Sequence, residues 1–179
     1  MLSRRNIRIK VLQMLYSLDR NDIMTLKDAE DAYKAKVKQS YQLYLFTLHI
    51  FTEFCKCAED DAKKRKAKYL PTELDRQFSD KLYSNQCMES LIENDNLKRI
   101  AEAEDFRSFY DEGSIKRLYS EFAKTDEYSE YIALENTSNE DHIEIYHEIF
   151  RFLKGEAGFH EILMDAYSNW IDDDSHVLG

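Results

Sequence analysis

Hydrophobic residues at the start of the chain recur at spacings of three and four, which is the period of a helix packed on one face. With Ser3 as its N-cap, the pattern predicts a first helix running to about Asp19. One apolar stripe contains Ile7, Val11, Met14, Leu15 and Leu18, and a second contains Ile9, Leu12 and Tyr16. The polar remainder is Ser3, Asn6, Lys10, Gln13 and Ser17. A helix with so wide an apolar face is expected to pack between other helices.

A second, much longer helix is predicted to follow. Thr25 and Asp28 have the spacing of a capping box, so the helix is expected to begin at Leu26 and to reach Lys66, either unbroken or with one break. Its first half is charged, whereas Tyr41–Phe54 is apolar on most sides and is predicted to be buried. Pro71 ends this region, because proline disfavours α geometry in the residue before it.

Shorter helical segments are predicted for the rest of the chain. They are Glu73–Glu93, Leu97–Ala103, Ser114–Lys124, Glu127–Leu134, a helix capped by Ser138 and Asp141 that ends at Leu153, and Phe159–Trp170. Gly113 is predicted to mark a break, and Gly155 and Gly158 to separate the last two helices. The pattern therefore predicts an all-α protein, a bundle of about six to seven helices.

Composition supports this fold class and limits the function. The 179 residues include only four Gly and one Pro, and 43% are hydrophobic, enough for a core. The net charge of −10 argues against a protein that covers nucleic acid over its whole surface, but it permits a local basic patch. Three Cys form no even disulfide framework, so free thiols in a reducing cytoplasm are expected. The most apolar stretch, Tyr41–Cys55, is too short to cross a bilayer, so no membrane partner is predicted.

The basic patch is expected at the beginning of the first helix. Arg4, Arg5 and Arg8 lie in its first two turns, where free backbone N–H groups and the positive end of the helix dipole also lie. Guanidinium groups and helix N-termini both bind phosphate. Gln13 and Tyr16 could supply a base-edge contact and a stacking surface for unpaired RNA. The alternative is an ordinary amphipathic helix with solvated arginines.

The amino-acid sequence of this segment is similar to that of a known family. Arg4-Arg5, then Arg8, then the run Leu-Gln-Met-Leu-Tyr-Ser at 12–17 resembles the opening helix of the NusB family of transcription antitermination factors. That resemblance implies an all-α fold that binds the boxA segment of nascent ribosomal RNA together with a small-subunit ribosomal protein. The family usually has a small residue where this chain has Ile7. The implied RNA-binding residues are Arg4, Arg5, Arg8, Lys10, Gln13 and Tyr16.

The resemblance also implies a division of the chain. Residues 1–24 correspond to the arginine-rich helix, and residues 25–179 resemble the helical insert of extended, Bacteroidetes-type members. The C-terminal half of the family's domain, with its Asn-Glu helix and Phe-Val-Asn-Gly signature, has no counterpart, so the chain is expected to be a fragment. Much of the ribosomal-protein contact belongs to that half. The apolar face of the first helix is then expected to pair with the insert or with a second copy in a homodimer.

Four further patterns have a plainer interpretation. Glu144 and His147 share a helix face but lack the partners of a di-iron site, and Cys55-x-Cys57 lacks a matching pair for zinc. Asp172–Asp174 is predicted to be a solvated turn rather than a calcium loop. The basic run Lys63–Lys68 could extend an RNA track, but its cations also complement a helix C-terminus and offset nearby carboxylates, which is the favoured interpretation.

The sequence thus predicts no enzyme, no metal and no cofactor, because it contains no phosphate loop, nucleophile elbow or His-Glu-x-x-His motif. The alternative to RNA binding is a helical protein-interaction module that binds its partner independently of RNA.

Overall fold

The computed structural model describes residues 3–171 and 173, and within this part of the chain the regular elements are helices. They are α1 (Arg4–Arg20), α2 (Leu26–Lys66), α3 (Glu73–Gln77), α4 (Gln86–Ile92), α5 (Asp95–Ala103), the 3-10 helix η1 (Phe106–Phe109), α6 (Glu112–Phe122), α7 (Asp126–Ala133), α8 (Asn139–Gly155) and α9 (Ala157–Ala166). The predicted all-α helical bundle is confirmed.

Helix α2 is the central element, and it is unbroken over 41 residues. At 1.5 Å per residue it is about 60 Å long. Both halves of the predicted capping box form at its start: the Thr25 hydroxyl accepts from the Asp28 N–H, and the Asp28 carboxylate accepts from the Thr25 N–H. Helices α1, α3, α4, α5 and α6 all pack on it. The bundle is therefore assembled around α2.

The core surrounds the second half of α2 and is rich in aromatic rings. Leu43, Phe46, Ile50 and Phe54 follow one another at spacings of three and four and are fully buried. The ring of Phe46 lies 5.3 Å from that of Phe106, and Phe51 stacks on Phe150 of α8 at 4.7 Å. Edge-to-face and offset pairs of this kind stabilise a core beyond their buried area. The predicted burial of Tyr41–Phe54 is thus correct except on the side of Tyr41 and Tyr44, which are exposed.

Three predicted boundaries are wrong by several residues. The expected helix Glu73–Glu93 is divided into α3 and α4, because Asn85 uses its amide to bind the Lys81 and Leu82 carbonyls and to cap α4 at Met88. Asparagine side chains compete with the helical ladder in this way.

The second wrong boundary is at Gly113, which does not mark the break before α6. It lies inside the first turn of that helix, which Asp111 caps. The break falls at Asp105, whose φ of 46° is left-handed. Similarly, α9 ends at Ala166, before the predicted Trp170.

The packing of the helices buries cysteine side chains. Cys55 and Cys57 are buried, Cys87 is half-buried, and all three are free thiols. Burial raises the pKa of the Cys57 thiol to about 11, so its reactive thiolate is scarce at neutral pH.

None of the helices in the described part of the chain combines the length and apolarity of a bilayer-spanning segment.

A buried carboxylate, Asp75, holds the turn between α2 and α3. The Lys68 ammonium lies 2.7 Å from its Oδ1, and the backbone N–H and hydroxyl of Thr72 donate to its Oδ2. These hydrogen bonds, that of Lys68 first, lower the pKa of Asp75 to about 2. Because the folded pKa lies below that of the unfolded chain, this carboxylate stabilises the fold above about pH 4.

We therefore expect the stability difference between the wild type and Asp75→Asn to depend on pH. It should be complete at pH 7 and should shrink as the pH falls from about 4 towards 2, where the wild-type carboxyl becomes protonated. Urea unfolding followed by circular dichroism at a series of pH values measures this difference. A difference that is unchanged between pH 7 and pH 2 would contradict the role given to the charge.

Candidate nucleic-acid interface

Three arginines form the first two turns of α1, and we call Arg4, Arg5 and Arg8 the arginine tip. Ser3 caps the helix by accepting the N–H of Asn6 at 3.1 Å, so the tip begins at an ordered helix start. All three arginines are exposed, and no acidic residue lies in the first turn. Among the described residues none of the three makes an ion pair. Their guanidinium groups are available to an anion beside the positive end of the helix dipole.

Lys10, which was predicted among the RNA-binding residues, is not part of this exposed surface. It is 3% exposed, and its Nζ lies 2.9 Å and 3.0 Å from the two carboxylate oxygens of Asp173. The same carboxylate accepts from the Ser40 hydroxyl and from the Asn169 amide, each at 2.6 Å. No local pattern predicts this pairing, because Lys10 and Asp173 are 163 positions apart.

The prediction of a solvated turn at Asp172–Asp174 is wrong for Asp173. Its carboxylate is 1% exposed, while Asp172 and Asp174 lie outside the described residues. Burial by itself raises the pKa of Asp173, but the hydrogen bonds from Ser40, Lys10 and Asn169 outweigh it and the net pKa is lowered. The carboxylate is therefore charged at neutral pH and joins α1, α2 and the end of the described chain. This ion pair therefore holds α1, which carries the arginine tip, against α2.

Gln13 and Tyr16 lie further along α1 with different accessibility. Gln13 is half-buried, whereas Tyr16 is 61% exposed. The guanidinium of Arg20 lies 5.3 Å from the Tyr16 ring centroid, a cation–π contact at an exposed site. One face of Tyr16 is therefore occupied, and the other can stack on a base.

Two aromatic residues of α2 that the sequence pattern did not predict as exposed lie at about the same height along the helical hairpin as the arginine tip; the hydroxyl of one, Tyr41, accepts a hydrogen bond from Asn96 of α5. Helices α1 and α2 are joined by residues 21–25 and pack on each other as a helical hairpin, and Lys10 and Ser40 share one carboxylate. The arginine tip is therefore level with residues near 41–46 of α2. Tyr41 and Tyr44 are 44% and 39% exposed there. Their i, i+3 spacing on an otherwise apolar segment was the signal that could have identified them.

The remainder of α1 leaves much of its apolar surface uncovered. Met14 is the buried hydrophobic residue of this helix, whereas Leu12 is 65% and Leu15 is 54% exposed. Helix α2 covers one side of α1. The exposure of Leu12 and Leu15 shows that, in the described part of the chain, other helices do not enclose the opposite side as expected. An exposed apolar stripe of this width is typical of a protein-binding surface.

The basic run at the end of α2 is largely occupied by carboxylates. The Lys63 ammonium lies 2.6 Å from Glu59, and Arg65 lies 3.1 Å from Asp61. Arg65 also lies over the ring of Phe78, 4.2 Å from its centroid. These contacts favour the structural interpretation of the run over an extended RNA track.

The possible metal ligands are scattered. Glu144 and His147 are exposed on α8, and no three His, Cys, Asp or Glu side chains in the described ranges are close enough together to hold a metal ion. His142 is instead buried, with its Nδ1 2.7 Å from the hydroxyl of Tyr131.

Comparison with known proteins does not add to this geometry. No family model matches the chain, and neither the curated proteins nor the solved structures contain a match.

Proposed function

We propose that the protein binds single-stranded, boxA-like RNA through the arginine tip of α1, and that it acts on ribosomal RNA transcription in the cytoplasm as an antitermination factor of the NusB type. The observation that supports this proposal is the contrast within α1: Lys10 is paired and buried, while Arg4, Arg5 and Arg8 are exposed and unpaired among the described residues. The resemblance to the NusB family rests on the amino-acid sequence of residues 4–17.

The chemistry of the surface suits a single strand. Each guanidinium offers paired N–H donors to a phosphate, and the free N–H groups of the first turn add to them. Tyr16, Tyr41 and Tyr44 are exposed rings on which bases could stack. The chain as a whole carries a net charge of −10, so RNA approaching elsewhere is repelled and binding is confined to the tip.

The proposal predicts that Arg4→Ala/Arg5→Ala/Arg8→Ala weakens RNA binding on the order of 30-fold, because three phosphate contacts of about 0.7 kcal/mol each are lost. Fluorescence anisotropy with a labelled single-stranded boxA-like RNA measures the affinity. The matched control is Lys63→Ala/Lys64→Ala/Lys66→Ala, which removes the same number of positive charges at the end of α2. Equal affinities of the tip variant and the wild type, or equal losses in the two variants, would refute the assignment.

A second candidate function is a protein-interaction module, which the exposure of Leu12 and Leu15 favours. Its partner could be a small-subunit ribosomal protein, as the family resemblance implies, or a second copy in a homodimer. Leu12→Ser/Leu15→Ser should then abolish association with the protein partner and leave RNA affinity unchanged. Analytical ultracentrifugation of the chain alone measures homodimer formation, and ultracentrifugation with the ribosomal protein measures association with that partner. If the RNA affinity falls and neither association changes, the module hypothesis is wrong.

A further inference from the structure

A cavity of about 480 Å³ lies between the second half of α2, helices α4 and α5, and η1. It is formed by elements other than α1 and so is separate from the arginine tip. Its volume is in the range of small-molecule sites in proteins. It forms because α5 ends early and η1 turns back towards α2, where Phe106 packs on Phe46.

One part of the cavity wall is apolar. Tyr83, Ile92, Leu97 and Ala101 line it. Leu97 is buried, and the other three are half-buried, so the wall consists of the edge of the hydrophobic core. A ring or short hydrocarbon placed against it would remove apolar surface from water, at roughly 25 cal/mol per Å².

The polar part of the lining carries three carboxylates and two cations. Glu53, Glu102 and Asp105 contribute carboxylates, against the cations Lys98 and Arg107. One charge of each sign is already compensated from outside the lining: the Arg107 guanidinium lies 3.4 Å from Glu112, and the Glu53 carboxylate lies 3.8 Å from the Lys56 ammonium. Among the described residues, neither Glu102 nor Asp105 makes an ion pair. A bound cation would therefore meet more uncompensated charge than a bound anion.

The backbone at this point adds to the negative potential. Helix α5 ends at Ala103, so its last carbonyl groups and the negative end of its dipole lie beside Ala101, Glu102 and Asp105 in the lining. Asp105 ends the helix in a left-handed conformation, with φ 46° and ψ 55°. Aspartate and asparagine are the non-glycine residues that adopt this conformation most readily.

We propose that this cavity binds a small organic cation that carries an aromatic or other apolar body, such as a protonated aryl-alkyl amine. The apolar body lies against Tyr83, Ile92, Leu97 and Ala101, and the ammonium group lies between Glu102, Asp105 and the carbonyl end of α5. This site is independent of RNA binding at α1.

Two probes of the same shape and opposite charge test the site: tryptamine, which is a cation at pH 7, and indole-3-propionate, which is an anion. Saturation-transfer NMR and isothermal calorimetry on the whole chain should show that tryptamine binds and that indole-3-propionate binds at least about fivefold more weakly. Glu102→Gln/Asp105→Asn should weaken tryptamine by roughly fivefold, since two exposed charge contacts are lost while the left-handed backbone is retained.

The matched control is Glu127→Gln/Glu130→Gln, which removes two carboxylates from a different acidic depression between α7 and α8. It should leave tryptamine affinity unchanged. Ala101→Trp fills the cavity and should abolish binding of both probes. The proposal is overturned if neither probe binds, if the anion binds as tightly as the cation, or if the control variant weakens tryptamine as much as Glu102→Gln/Asp105→Asn does.

Discussion

Replacing Phe46 by alanine is expected to lower the free energy of unfolding by about 4 kcal/mol. Phe46 is fully buried, and its ring lies within 5.3 to 6.4 Å of the rings of Phe106, Phe109, Tyr110 and Tyr167. Removing it leaves a cavity at the junction of α2, η1 and the segment after α9. That cavity cannot close, because three separate elements would have to move together.

Urea unfolding followed by circular dichroism measures this loss. Phe46→Leu retains most of the buried volume and should cost only about 1–2 kcal/mol. Tyr69→Ala is the control for removing an aromatic ring, since Tyr69 is 97% exposed, and it should change stability by less than about 0.5 kcal/mol. A loss below about 1 kcal/mol for Phe46→Ala would show that these rings do not form the centre of the core.

The second large effect is expected at the buried ion pair. Asp173→Ala should destabilise the docking of α1 by about 3 kcal/mol, because the Lys10 ammonium would remain buried without a counter-charge. Ser40 and Asn169 would lose their acceptor at the same time. Hydrogen exchange of the α1 amides, compared with those of α2, shows whether the loss is confined to the docking of α1.

Two further variants separate the charge from the packing. Lys10→Met/Asp173→Leu removes both charges and should be more stable than Asp173→Ala, because no unpaired charge remains. Glu30→Ala breaks an exposed pair with Lys34, whose side chains are 60% and 64% exposed, and it should cost less than about 0.5 kcal/mol. If the double variant is no more stable than the single one, the ion pair does not hold α1 in place.

Local signals explain most of the fold that the sequence predicted. The capping boxes at Thr25/Asp28 and Ser138/Asp141 form as expected, since each depends on residues only three positions apart. The burial of the aromatic half of α2 followed from its period. In contrast, the division of the expected 73–93 helix was missed, because it depends on Asn85 side-chain bonds that compete with a plausible helical pattern.

The candidate site was predictable only in part. The position of Arg4, Arg5 and Arg8 in the first turns of a helix is a local property, and it was correctly anticipated. The burial of Lys10 was not, because it depends on Asp173, which is close only after the chain has folded. The exposure of Tyr41 and Tyr44 was missed for the same reason, since it depends on which side of α2 the later helices cover.

The salt dependence of RNA binding tests the central claim, that the arginine tip contacts phosphate, most directly. For a single strand, the slope of log K against log salt changes by about 0.7 for each phosphate contact. The slope for Arg4→Ala/Arg5→Ala/Arg8→Ala should therefore be shallower than that of the wild type by about 2. The variant Lys63→Ala/Lys64→Ala/Lys66→Ala should retain the wild-type slope. Identical slopes for the wild type and the arginine variant would contradict phosphate contact by the arginine tip.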